Sequence, residues 1–197
     1  MKKWIKQITL NFLLVGFTVF ASAEGRLFEV DPGHSTIAFG IRHLVTTVNG
    51  RFTDYSGTIS YDEKVPARSK VNFVVKTASL TTENAMRDKD LRSANFFDVE
   101  TYPEAKFLST QITMLGKKKA KIKGNLTIRG ITRGVVFDVD YLGKEKDPMG
   151  SLRTGFTAET TLSRKDYGLT WNKVLDSGGL LIGDEVKLKI DVEAIAR

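Results

Sequence analysis

The chain has 197 residues, with 30 Lys or Arg against 23 Asp or Glu, only two histidines and no cysteine. The lack of cysteine excludes disulfides, thiolate nucleophiles and thiolate metal centres. The net charge of +7 is modest and scattered, and no aromatic-plus-basic motif accompanies it, so nucleic acid is not an expected partner.

Residues 1–23 read as a secretory signal peptide. Lys2, Lys3 and Lys6 form a positive start, Ile8 to Phe20 is mostly apolar, and Ala21-Ser22-Ala23 supplies the small residues of a cleavage site. The apolar run is short for a spanning helix. Export is therefore expected, leaving one domain over residues 24–197 with Glu24 as the mature N-terminus.

From there on the chain alternates. Ile37, Phe39 and Ile41 form one apolar set, and Val71, Phe73 and Val75 another. Gly50 and Gly57 lie between them and read as turn positions. Thr82 to Ser93 departs from period two, with Met86, Asp90 and the pair Leu91 and Asn95 at intervals of four. This predicts one helix over 82–93, capped by Thr81 or Thr82. Leu80, Met86, Leu91, Phe96 and Phe97 surround it with apolar bulk, as suits a helix that plugs or lids one end.

Alternation then resumes through Ile122, Leu126 and Ile128, through Val135, Phe137, Val139 and Tyr141, through Phe156 to Leu162, and through Val186 to Val192. Gly116, Gly130, Gly143 and Asp147-Pro148-Met149-Gly150 punctuate these runs. Period two with one face buried and one wet is the pattern of antiparallel strands. The class is all-β, a sandwich or a barrel. The dense basic run Lys117-Lys118-Lys119 reads as a solvated turn, with an anionic partner as the alternative.

Catalytic motifs are missing. No Gly-x-Ser-x-Gly elbow or phosphate-binding loop occurs. His34 and His43 are nine residues apart, on opposite faces and about 30 Å apart if one continuous strand carries both. Asp88 and Asp90 read as helix-surface groups, solvated or paired with Arg87 and Arg92. The aromatic residues fill a barrel or line a cavity inside it, and patterning does not separate the two.

Several motifs together resemble the YceI family. They are Asp31-Pro-Gly-His-Ser-Thr-Ile-Ala-Phe39, Arg42-His43-Leu44 and Val48-Asn-Gly-Arg-Phe52. Arg87-Asp88-x-x-Leu91-Arg92-Ser93-x-x-Phe96-Phe97-Asp98 follows, with Tyr102-Pro103 and Phe107. Gly124 to Thr132 and Ser163-Arg-Lys-Asp-Tyr-Gly168 complete the set. One departure is Asp90, where many members carry histidine.

The resemblance implies a lipocalin-like, extended antiparallel β-barrel of about eight strands, partly closed by the helix near residues 82–93. It also implies a periplasmic, stress-associated protein that holds an isoprenoid quinone or polyprenyl phosphate, with no cofactor and no catalytic residue. The apolar channel would be lined by Phe39, Ile41, Phe52, Phe73, Leu80 and Met86. Leu91, Phe96, Phe107, Phe137, Phe156, Tyr167 and Trp171 would continue it. His43, Arg87, Arg92 and Arg164 would form a polar mouth, the arginines having Asp88, Asp98 or Asp166 as alternative partners. Partners would be the isoprenoid lipid and, transiently, the membrane or a membrane protein, for a monomer or homodimer. Two rivals remain: an enzyme using His43 with Asp88 or Asp166, and a packed barrel acting as an interaction module.

Overall fold

The alternation builds one continuous antiparallel sheet. A computed structural model describes residues 25–197; the signal peptide expected over 1–23 lies outside them. The strands are β1 (Arg26–Val30), β2 (Thr36–His43), β3 (Thr46–Phe52), β4 (Tyr55–Tyr61), β5 (Lys70–Lys76) and β6 (Leu80–Thr81). Helix α1 (Ala85–Arg92) follows, then β7 (Glu104–Met114), β8 (Lys119–Ile128), β9 (Ile131–Lys146), β10 (Leu152–Ser163) and β11 (Ile182–Ala196).

The hydrogen-bonded order β1-β4-β5-β7-β8-β9-β10-β11 returns from β11 to β1, which closes a barrel of eight strands. Closure pairs β1 with β11, two strands that would otherwise be edges of an open sheet. The closing edge of β11 is shared. Its last residues, Ala194 to Ala196, pair with Val30 to Phe28, while Ile182 to Asp191 pair with β2. From β2 the sheet continues through β3 to β6.

Burial follows the pleat. In β9, Val135, Phe137 and Val139 are buried while Gly134, Val136 and Asp138 are exposed. One core cluster gathers around Phe107, Phe137 and Tyr167, and a second around Phe28, Ile59 and Val192.

Gly50 and Gly57 lie inside β3 and β4, not in turns. Each sits opposite a phenylalanine on the neighbouring strand, Phe39 and Phe73 respectively. A Cβ on Gly50 would lie 2.3 Å from the Phe39 ring, and one on Gly57 would lie 2.9 Å from the Phe73 ring. The glycines let the rings fold flat along the wall instead of projecting towards the barrel axis. Gly143 likewise falls within β9, next to a register shift between β9 and β10.

The helix is shorter than the sequence predicts. Glu83 has a left-handed backbone, φ 60°, which ends any helical run upstream. Asn84 is the N-cap, its side chain accepting from the Arg87 amide at 3.0 Å. Thr81 and Thr82 have a different task, because both hydroxyls donate to the buried Asp88 carboxylate, joined by the Thr82 amide. Burial alone would raise the Asp88 carboxyl, but these bonds hold it below its usual range.

The expected ion pairs of Asp88 with Arg87 and Arg92 are replaced by this cap-like network. Arg87 donates to the Thr82 hydroxyl and carbonyl, and Arg92 to the carbonyls of Ala78 and Leu80. His34 belongs to a short 3-10 turn, Pro32–His34, ahead of β2, so no single strand carries both histidines.

Candidate binding channel

The barrel is hollow. Two adjoining cavities of about 190 and 580 Å³ run through it, sharing Ala105, Ile128 and Leu188 as common wall. The larger falls within the size range of small-molecule sites. Phe73, Phe107, Phe137 and Phe156 line the smaller one, from β5, β7, β9 and β10. The larger lies at the α1 end. Phe39 and Ile41 of β2 and Phe52 of β3 form one side of it. Leu91, Phe96, Tyr167 and Trp171 form the other.

Two expected wall residues behave differently. Leu80 has no accessible surface and therefore touches neither void. Met86 borders the larger cavity but is 84% exposed, so it forms part of the lip. Its position on the outer side of a two-turn helix leaves nothing to cover it.

The expected polar mouth also divides. His43 and Arg87 are half-buried on the wall of the larger cavity. The Arg87 Nε and one terminal nitrogen are engaged by Thr82, leaving its other terminal nitrogen available to a ligand. Arg164 reaches the same wall, but its guanidinium is spent on the carbonyls of Gly183, Leu169 and Trp171 and on Asp184. Burial pushes its basicity down, and its role is to fix the segment that carries Trp171. Arg92 lies on neither wall, because the Ala78 and Leu80 carbonyls draw it to the back of β6. Neither Asp98 nor Asp166 is the partner of these arginines; Asp184 is that of Arg164.

Sequence reasoning missed the other end. There the smaller cavity is bounded by Tyr61 and Tyr141, by Pro66 and Ser69, and by Met114 with Lys117 to Lys119 of the β7–β8 hairpin. Tyr61, Tyr141 and Phe156 form an aromatic cluster with centroids 5.4 to 6.3 Å apart. The lysine run was the available signal, but its neighbours across the mouth come from a loop about fifty residues upstream, a pairing that only the fold reveals.

Neither carboxylate that the enzyme reading paired with His43 joins it in the channel, although Asp90 borders the same cavity. Both Asp88 oxygens are occupied by threonines, and Asp166 is exposed away from both cavities. One cluster among the described residues has metal-ligand chemistry, namely Asp31, His34 and Glu193. Arg153 already bridges it, donating to Asp31, Glu193 and Asp147. The bonds from His34 and Arg153 hold the Asp31 carboxyl down at about 2.

The profile of the YceI-like domain matches residues 28–194. The chain belongs to the YceI family. A UPF0312 protein of Photorhabdus laumondii is 40% identical over 170 residues, covering 85% of this chain and 86% of the relative. The crystal structure of the Campylobacter jejuni YCEI protein superposes with a TM-score of 0.69 at 27% identity, over 98% of this chain and 99% of that one. A polyisoprenoid-binding domain from Saccharophagus degradans, implicated in plant cell wall breakdown, shares the fold with a TM-score of 0.64 at 17% identity, over 86% and 98%. The fold expected from the YceI motifs is thus the fold found, and the barrel is hollow where the rival reading had it packed.

Proposed function

We propose that this YceI-family chain is a periplasmic binding protein that carries or stores a long-chain isoprenoid lipid, a quinone or a polyprenyl phosphate, inside its barrel. One observation carries the reading: two apolar cavities adjoin within the closed wall of the barrel, and His43 and Arg87 border the larger one at the α1 end. An elongated dry bore suits a flexible hydrocarbon tail, while the half-buried cation at the mouth suits an oxygen-bearing head. The polyisoprenoid-binding activity of the Saccharophagus domain, which has the same fold, supports the ligand class.

Each buried methylene contributes about 0.8 kcal/mol, so every five-carbon isoprene unit drawn into the bore adds roughly 4 kcal/mol before ordering costs are subtracted. Affinity therefore rises steeply with tail length until the bore is full, then levels off. Titration with polyprenols of increasing length measures this directly, and native mass spectrometry of protein isolated from the cell envelope identifies what it holds. A protein that takes up no polyprenol of any length refutes the reading.

A further inference from the structure

The hairpin end of the barrel carries a feature that binding a tail does not require. Around the mouth of the smaller cavity, two loops present exposed apolar side chains beside exposed cations. The β4–β5 loop offers Lys64, Val65 and Arg68, and the β7–β8 hairpin offers Met114, Leu115, Lys117 and Lys118. Leu115 is 57% exposed although it lies beside an apolar interior.

Most acids near this rim are matched by a cation; Asp62 is instead buried, its carboxylate accepting from the Lys64 and Val65 amides. Asp140 is paired with Lys119, Asp138 with Lys121 and Glu63 with Lys144. Among the described residues, Lys64, Arg68, Lys117 and Lys118 have no carboxylate within ion-pair distance. The rim therefore carries a local positive surplus around an opening whose inner wall is apolar. The opposite end also exposes apolar side chains, Leu44, Val45, Met86, Val174 and Leu180 among them, but they stand among charges of both signs, including Arg42, Lys89, Glu83 and Asp90.

We infer that the hairpin end is a docking surface for an anionic phospholipid bilayer. The four cations engage lipid phosphates, Leu115, Met114 and Val65 enter the headgroup layer, and the smaller cavity faces the membrane. Charge complementarity selects the partner, because an apolar rim alone would suit any greasy surface, whereas unmatched lysines beside it select a negative one. This rests on the lipid-carrying reading above and supplies it with a donor or acceptor membrane.

The test is co-flotation with vesicles of phosphatidylglycerol and phosphatidylcholine against phosphatidylcholine alone. All variants are purified in the same N-terminal form, so residues 1–24 contribute equally. Lys117→Glu/Lys118→Glu is compared with Lys187→Glu/Lys189→Glu, which makes the same charge change on the exposed wall of β11. Each surface lysine contributes about 1 kcal/mol at an anionic membrane, so the hairpin pair should weaken binding at least about thirtyfold, and salt should weaken the wild type.

Equal loss in both double variants, or wild-type binding that ignores phosphatidylglycerol, overturns the inference. Uptake of a fluorescent geranylgeraniol by the wild-type protein in solution is measured alongside. Uptake with lysine-independent flotation overturns docking alone, whereas lysine-dependent flotation without uptake supports docking and overturns the carrier reading.

Discussion

Gly50→Ala separates a hollow barrel from a packed one. The new Cβ would stand 2.3 Å from Cζ of Phe39, 2.8 Å from its Cε1 and 2.9 Å from Cγ2 of Thr82, all side-chain atoms. To restore van der Waals contact near 3.7 Å the ring must retreat about 1.4 Å. Phe39 already borders a void of about 580 Å³, so it has somewhere to go. The stability loss should then sit at the low end of the roughly 1–3 kcal/mol typical of overpacking. The retreating ring takes room from the ligand, on the order of one to two methylenes, or about 0.8–1.6 kcal/mol and a four- to fifteenfold weaker affinity.

The assay pairs urea unfolding with polyprenol titration, and Phe39→Leu in the Gly50→Ala background should return the lost affinity. A stability loss near 3 kcal/mol with uptake unchanged would mean that the ring had no space to enter, and the reasoning would fail.

Tyr167→Phe should leave stability unchanged or raise it by about 1 kcal/mol, because the Tyr167 hydroxyl is buried with no hydrogen-bond partner among the described residues; a clear drop in the unfolding midpoint would refute this. The Arg153 cluster predicts an acid dependence. A carboxyl held at about 2 when folded, as Asp31 is, stabilises the fold above the ordinary carboxylate range and loses that contribution as the pH falls through about 2. The advantage of wild type over Arg153→Met should thus be full at pH 7 and narrow below about pH 4, and a gap that stays constant down the acid series would contradict it. Arg92→Ala removes two charge-assisted bonds to the Ala78 and Leu80 carbonyls, so amides around β6 and α1 should exchange faster while polyprenol affinity changes little; the reverse pattern would place Arg92 at the ligand.

The strands were legible because a half-buried wall writes itself as period two, and β9 is the clearest case with Val135, Phe137 and Val139. The same pattern misled at Gly50 and Gly57, since glycine marks either a turn or the place where a ring lies against the backbone, and only the cross-strand neighbour decides. The channel walls came largely from family motifs, and Leu80 shows the limit of reading them by hydrophobicity: an apolar residue next to the bore can spend its whole surface on packing. Arginines were harder still. Arg87, Arg92 and Arg164 share a sequence-level description, yet backbone carbonyls that have no sequence signature turn Arg92 away and saturate Arg164. The barrel's hollowness had no sequence signal, because it depends on where rings point once the strands are paired.

The seam between β1 and β11 sets when the protein can fold. It joins Phe28 to Ala196 and Val30 to Ala194, and Arg197 adds an ion pair to Glu29 and a backbone hydrogen bond donated by its N–H to the Leu27 carbonyl. The first strand and the last residues therefore meet across nearly the whole chain. No chain that lacks the end of β11 can complete the ring, so the barrel stays open until Ala194 to Ala196 reach β1. Such non-local closure is slow, and loss of Ala194 to Ala196 would remove the latch itself while costing only the last two pairs of β10 with β11 besides.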